Sequence, residues 1–158
     1  MTTEAALTVD SPLGPVTIRE RDGAITAIDF KASKHQRPTP LLHAAAAQLA
    51  EYFAGTRTTF DLPLAPPHSP FQGSIREAML AIPYGDTRSY GELAAQLGSN
   101  PRAVGQACGR NPFPIIVPCH RVLAAGGRIG GYSAGEGRQT KRWLLGHEAR
   151  PTLFAAQR

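Results

Sequence analysis

The 158-residue chain has only two cysteines, Cys108 and Cys119, and no Cys-x-x-Cys pair. This excludes a disulfide framework, argues against a structural zinc site, and fits a reducing compartment. No apolar run approaches the roughly 18 residues that a membrane helix needs, so no membrane partner is expected. The segment Met1 to Ala6 lacks a basic stretch followed by an apolar core. No secretory signal is therefore expected, and the expected location is cytoplasmic. Nothing in the motifs calls for a cofactor or a bound metal.

What is present is an ordinary apolar fraction of 42% and an uneven charge. Met1 to Pro70 carries six Lys/Arg and seven Asp/Glu, whereas Phe71 to Arg158 carries eleven and five. The basic excess lies wholly in the second half. That suits a polyanionic partner held through phosphate contacts, although a generically basic protein has the same balance.

The length allows one medium domain or two small ones. Residues 5–31 alternate apolar and polar, with Asp22-Gly23 as a hairpin turn, and predict an antiparallel meander. Thr39-Pro40 opens a helix that Gly55 ends. Residues 58–62 read as an edge strand. Four prolines between Pro63 and Pro70 read as a linker, which places a boundary near residue 66. The predicted domains are 1–66, a small antiparallel sheet with a helix, and 67–158, mostly helical. The fold class is α/β in the α+β sense.

In the second domain a helix is expected over 71–82. Ser89 and Glu92 form a capping box for the next helix, which Gly98 closes. Asn100 then caps a further helix opened by Pro101. The pair makes a helix-turn-helix, which by itself is often only a packing unit. Ala103, Val104, Ala107 and Cys108 form the apolar stripe of its second helix. Arg102, Gly105, Gln106 and Gly109 form the opposite stripe. The two glycines cost helix stability and permit close approach of another body, either DNA or a helix of the same chain. Residues 134–139 read as a mobile loop, and a final helix is expected over 140–147.

Between these lies Ile115-Ile116-Val117-Pro118-Cys119-His120-Arg121-Val122. The apolar residues predict a buried strand that Pro118 stops. Cys119 at its end is a fixed thiol, and a basic neighbour raises its thiolate fraction. On extended backbone, adjacent side chains point to opposite faces, so His120 would act on Cys119 through a water. The bland alternative is a buried small residue beside a surface histidine.

The flanks favour chemistry. Arg110-Asn111-Pro112 precedes the stretch, Gly130-Gly131-Tyr132-Ser133 follows it, and Trp143-Leu144-Leu145-Gly146-His147-Glu148 comes later. Read together, residues 71–148 resemble the methylated-DNA–protein-cysteine alkyltransferases, which take alkyl groups from O6 of guanine. The resemblance implies a ribonuclease H-like first domain and a second domain with a winged helix-turn-helix-like unit. It implies single-turnover transfer from double-stranded DNA carrying O6-alkylguanine, with the base flipped and the minor groove bound. It also implies a monomer, with cooperative binding along DNA left open.

In-line displacement at an alkyl carbon needs a thiolate, a polarised leaving group and alignment, but no oxyanion hole. His120 can serve as base, with Glu148 to fix its tautomer and Tyr90 as a donor to the departing guanine. The resemblance assigns the same parts. It makes Cys119 the acceptor and has Asn111 brace His120. It places the Cys119 and Val122 carbonyls against the exocyclic amine, Tyr132 and Ser133 against the flipped base, and Pro114 in the pocket wall. It makes Arg102 the finger that enters the base stack. The loop from Ser133 to Trp143 is about two residues longer than the family pattern, and the first domain lacks the cysteines of a zinc site. Two rivals remain. A non-catalytic module that binds alkylated DNA would explain the charge and the helix-turn-helix, but not Cys119. A Cys-His-Glu hydrolase would need an oxyanion hole, and adjacent Cys and His suit it poorly.

Overall fold

In the computed structural model, which describes residues 4–149, the alternating segment forms β1 (Ala5–Val9), β2 (Val16–Arg21) and β3 (Ala24–Asp29). They pair antiparallel in that order. The two-residue turn between β2 and β3 places Asp22 and Gly23 at φ 54° and 77°, the geometry for which Asp-Gly is suited. Helix α1 (Pro40–Phe53) covers one face. Thr39 Oγ1 accepts from Leu42 N at 3.1 Å, and Pro40 occupies the first turn. Leu42, Ala45, Leu49 and Tyr52 recur at helical spacing and are buried against Val16, Ile18, Ile25 and Ile28.

Residues 58–62 are not an edge strand. The sheet edge at Ile25 instead meets the proline-rich stretch, through a single parallel bridge to Leu64. Ile25 N donates to Pro63 O and Ala65 N donates to Ile25 O, each at 2.8 Å. Prolines at 63, 66 and 67 supply no further N–H groups, so the pairing stops there.

The second half begins with α2 (Pro70–Leu80), capped by Ser69 and shifted slightly toward the N-terminus from the expected span. A short strand β4 (Arg88–Ser89) leads into α3 (Tyr90–Leu97) and α4 (Pro101–Gly109). The capping box is complete: Glu92 N donates to Ser89 Oγ at 3.0 Å, and Ser89 N donates to Glu92 Oε1 at 2.9 Å. Asn100 Oδ1 caps α4 through Ala103 N. β5 (Val122–Leu123) pairs parallel with β4, and α5 (Arg138–Ala149) closes the described chain. Residues 134–137 form a turn that packs on Phe30, and Arg138 and Gln139 already belong to α5. Among the described residues no helix is long and apolar enough to cross a membrane.

The expected strand at Ile115–Val117 is a turn. Val117 N bonds Phe113 O at 2.9 Å, and Ile115 sits at φ 77°. That region is unfavourable for a β-branched residue and marks local strain. Pro112, Pro114 and Pro118 deprive the segment of ladder donors, while the Asn111 side chain bonds Phe113 N and Val117 O. The apolar side chains are still buried, so the burial read from the sequence holds without a strand.

The two halves share a core. Ile28 N at the sheet edge donates to Pro112 O at 2.9 Å. Tyr52 and Phe53 of α1 stack among Phe60, Trp143 and His147. Gly98, at φ 64°, ends α3 in the left-handed region, and an added Cβ would meet nothing within 4 Å. Gly98→Ala is therefore expected to lose about 1 kcal/mol of stability purely through backbone strain. Urea unfolding measures this.

Candidate active site

Pro118 ends the strained turn, and Cys119 opens a 3-10 turn, Cys119–Arg121, rather than closing a strand. The turn is held from below by Asn111, whose Nδ2 donates to Val117 O at 2.8 Å and whose Oδ1 accepts from Phe113 N at 3.0 Å. Asn111 thus braces the segment that carries the thiol. Its amide is committed to that segment and not to the His120 ring.

Cys119 faces a cavity of about 370 Å³. Its wall brings together Tyr90, Gly105, Gly109, Asn111, Pro114, Tyr132 and Ser133 of the expected set, and Cys108 besides. The two glycines of α4 have little internal packing to explain them. An added Cβ at Gly109 would meet nothing within 4 Å, and at Gly105 only Tyr90 at 3.9 Å. Their face is open, so a neighbouring helix does not account for them. Gly130 is different: at φ 71° it lies so near Tyr90 that a Cβ would come within 3.2 Å of the ring. Arg102 and Gln106 are exposed on the same side of α4. Ser133 Oγ donates to Gly109 O at 3.0 Å, tying the loop after β5 to the end of α4.

Behind the thiol lies a buried polar network. His120 Nε2 is 2.6 Å from Glu148 Oε2. Arg121 binds the same carboxylate with Nε at 2.7 Å from Oε1 and Nη2 at 3.1 Å from Oε2, and its Nη1 donates to Ile82 O at 2.8 Å. The Tyr52 hydroxyl donates to Glu148 Oε2 at 2.7 Å. Burial alone would push the Glu148 carboxyl up, but its bonds to His120, Arg121 and Tyr52 outweigh this and hold it at about 2. With Glu148 ionised, the short contact assigns a proton to His120 Nε2. Burial depresses the His120 pKa, so the ring is neutral. Nδ1 then carries the lone pair, and it is buried with no hydrogen-bond partner among the described residues.

Burial raises the Cys119 pKa, so the resting group is a thiol. The Asn111 amide, the Tyr132 hydroxyl and the Lys141 ammonium all act in the opposite direction. Burial, with the two thiols nearby, pushes Tyr90 up to about 12, which keeps its phenol protonated as a donor. Lys141 is fully buried, donates to Val122 O at 2.7 Å and Gly131 O at 3.1 Å, and lies 5.6 Å from the Tyr90 ring centroid. The Val122 carbonyl, expected free for a ligand amine, is thus already shared with Lys141.

Lys141, Arg121 and Tyr52 were not singled out from the sequence. For Lys141 a signal existed. Thr140, Lys141, Leu144, His147 and Glu148 are the buried stripe of α5, and ionisable residues at core spacing are rare without a purpose. Arg121 and Tyr52 carry no such local sign, since only the fold brings them to Glu148.

Above about pH 4.5 the ionised Glu148 contributes its full stabilisation, which is then lost progressively as the pH falls toward about 2. Glu148→Gln is expected to cost about 3 kcal/mol at neutral pH, because it leaves the buried Arg121 guanidinium uncompensated. Denaturant unfolding of both proteins across this pH range tests it: the difference should shrink in acid.

Two family models match the chain. The ribonuclease-like domain of 6-O-methylguanine DNA methyltransferase matches residues 6–66, and the DNA binding domain of the same protein matches residues 70–150. The methylated-DNA–protein-cysteine methyltransferase of Mycobacterium tuberculosis is 45% identical over 147 residues, covering 87% of this chain and 88% of that protein. The constitutive one of Bacillus subtilis is 43% identical over 154 residues, covering 89% and 93%. The crystal structure of the M. tuberculosis O6-methylguanine methyltransferase superposes with a TM-score of 0.82 at 40% identity, covering 99% of this chain and all of that one. A second structure, of the M. tuberculosis protein in complex with DNA, gives 0.79 at 44% identity, covering 90% and 91%. With both halves matched by models of one family and relatives at 43% and 45% identity covered over most of their length, the chain belongs to the 6-O-methylguanine DNA methyltransferase family.

Proposed function

We propose that the protein repairs DNA by direct reversal, moving the alkyl group from O6 of guanine in duplex DNA to Cys119. The observation that carries this is a buried thiol in an open cavity, backed by a neutral histidine whose proton lies on the nitrogen facing Glu148. The thiol proton passes through a water to His120 Nδ1. Sulfur attacks the alkyl carbon in line as the C–O6 bond breaks, and the electron pair stays on the guanine. The Tyr90 phenol donates to the ring as negative charge develops there. The product on the protein is a thioether, which no neighbouring group can cleave, so each molecule acts once.

A thiol recessed in a cavity cannot reach a paired base, which favours extrusion of the nucleotide. The glycine face of α4 suits close approach of a DNA backbone in the minor groove, where sequence readout is weak. Arg102, exposed at the start of α4, suits the part of a side chain that fills the vacated stack. Tyr132 and Ser133 line the cavity and suit contact with the flipped base, with Pro114 opposite. The division at residue 66 gives the first domain a bracing role and the second the chemistry, and it accords with the spans of the two family models. A cytoplasmic setting accords with two free thiols.

Intact mass after mixing with duplex DNA containing O6-methylguanine tests the reaction. The protein should gain one methyl group, stoichiometrically, and the Cys119→Ser variant none. Binding without mass gain would instead favour a lesion-binding module. Arg102→Ala should slow single-turnover transfer from duplex about tenfold or more, with a much smaller loss on a free O6-alkylguanine base, because only the duplex requires extrusion.

A further inference from the structure

We infer that Tyr52, on α1 of the first domain, is a positioning residue for the transfer reaction, acting through Glu148 on the basicity of His120. The inference rests on the reaction proposed above. Tyr52 is fully buried, 96 residues from Glu148 in sequence, and its hydroxyl donates to Oε2 at 2.7 Å. Oε2 is also the oxygen that His120 Nε2 contacts at 2.6 Å. The phenol and the imidazole therefore compete for one carboxylate oxygen. The main chain of Tyr52 adds a second tie, because its carbonyl accepts from His147 Nε2 at 2.7 Å. One residue of the first domain thus holds two successive residues of α5, and one of them orients the base.

The groups around this pair come from every packed element. Arg121 bonds Glu148 from the 3-10 turn, and its guanidinium lies 5.6 Å from the centroid of the Tyr84 ring. Lys141 and His147 are on α5 itself, and Tyr132 lies near enough to feel the Glu148 charge. None of these substitutes for Tyr52. Arg121 holds mainly Oε1 and shares Oε2 at a longer 3.1 Å. A phenol that withdraws charge from Oε2 weakens the pull of that oxygen on the imidazole N–H. Removing it strengthens the His120–Glu148 interaction and makes Nδ1 more basic. A residue that served packing alone would have no such effect on protonation.

The test is the pH profile of single-turnover transfer by the full chain from duplex O6-methylguanine. Tyr52→Phe keeps the ring and deletes the hydroxyl. Its acid limb should move up by about half a pH unit. A second protein carries 3-fluorotyrosine at position 52, which keeps the shape but is a stronger donor. Its acid limb should move down. Opposite shifts in the two proteins support the inference, as does the downward shift alone if Tyr52→Phe fails to fold. Profiles that superimpose on wild type, with or without a uniform loss of rate, overturn it. If the wild-type protein gains no methyl group, it is the proposed reaction that falls, which is a separate result.

Discussion

One buried carboxylate organises this molecule. Glu148 accepts from His120, Arg121 and Tyr52, which reach it from the 3-10 turn that carries the thiol and from the helix of the first domain. A lone ionised carboxylate in such a place would be strongly disfavoured. Here a two-pronged guanidinium and two further donors compensate it, and its charge is retained to very low pH. The arrangement does two jobs with one group. It joins the halves of the chain, and it decides which nitrogen of His120 carries the proton.

In the proposed reaction that choice governs how the thiol is activated. A buried Cys119 left to itself is a poor nucleophile, because burial disfavours the thiolate. In the proposed reaction the site does not need a permanent thiolate; a neutral histidine with an available lone pair takes the thiol proton. Asn111, Tyr132 and Lys141 lower the cost of the anion at the moment it forms. A protonated thiol is also less open to oxidation or stray alkylation than a standing thiolate. The strained turn at Ile115 and the prolines around it give the sulfur a fixed place.

Much of this was legible in the sequence, for reasons that are local. The Asp22-Gly23 hairpin, the Thr39-Pro40 helix start, the Ser89–Glu92 capping box and the Gly98 stop all stand as read, because each depends on neighbours within a few residues. The Pro-Cys-His-Arg-Val stretch with its flanks pointed to the family and to most of the cavity wall. What misled was the apolar run at 115–117. Strand and turn are equally apolar when buried, and only the flanking prolines and the Asn111 side chain decide between them. The edge strand at 58–62 failed in a similar way, since alternation does not reveal that Gln48 would instead clamp the chain at Asp61. Tyr52 and Arg121 were out of reach, because their significance arises only when distant segments meet.

The central claim is the tautomer of His120, and nitrogen-15 NMR of its side chain in the resting protein reads it directly. The account predicts a neutral ring at neutral pH, with the proton on Nε2 and Nδ1 unprotonated. A proton on Nδ1, or a fully protonated imidazolium, would contradict it, because the ring would then have no lone pair to offer the thiol.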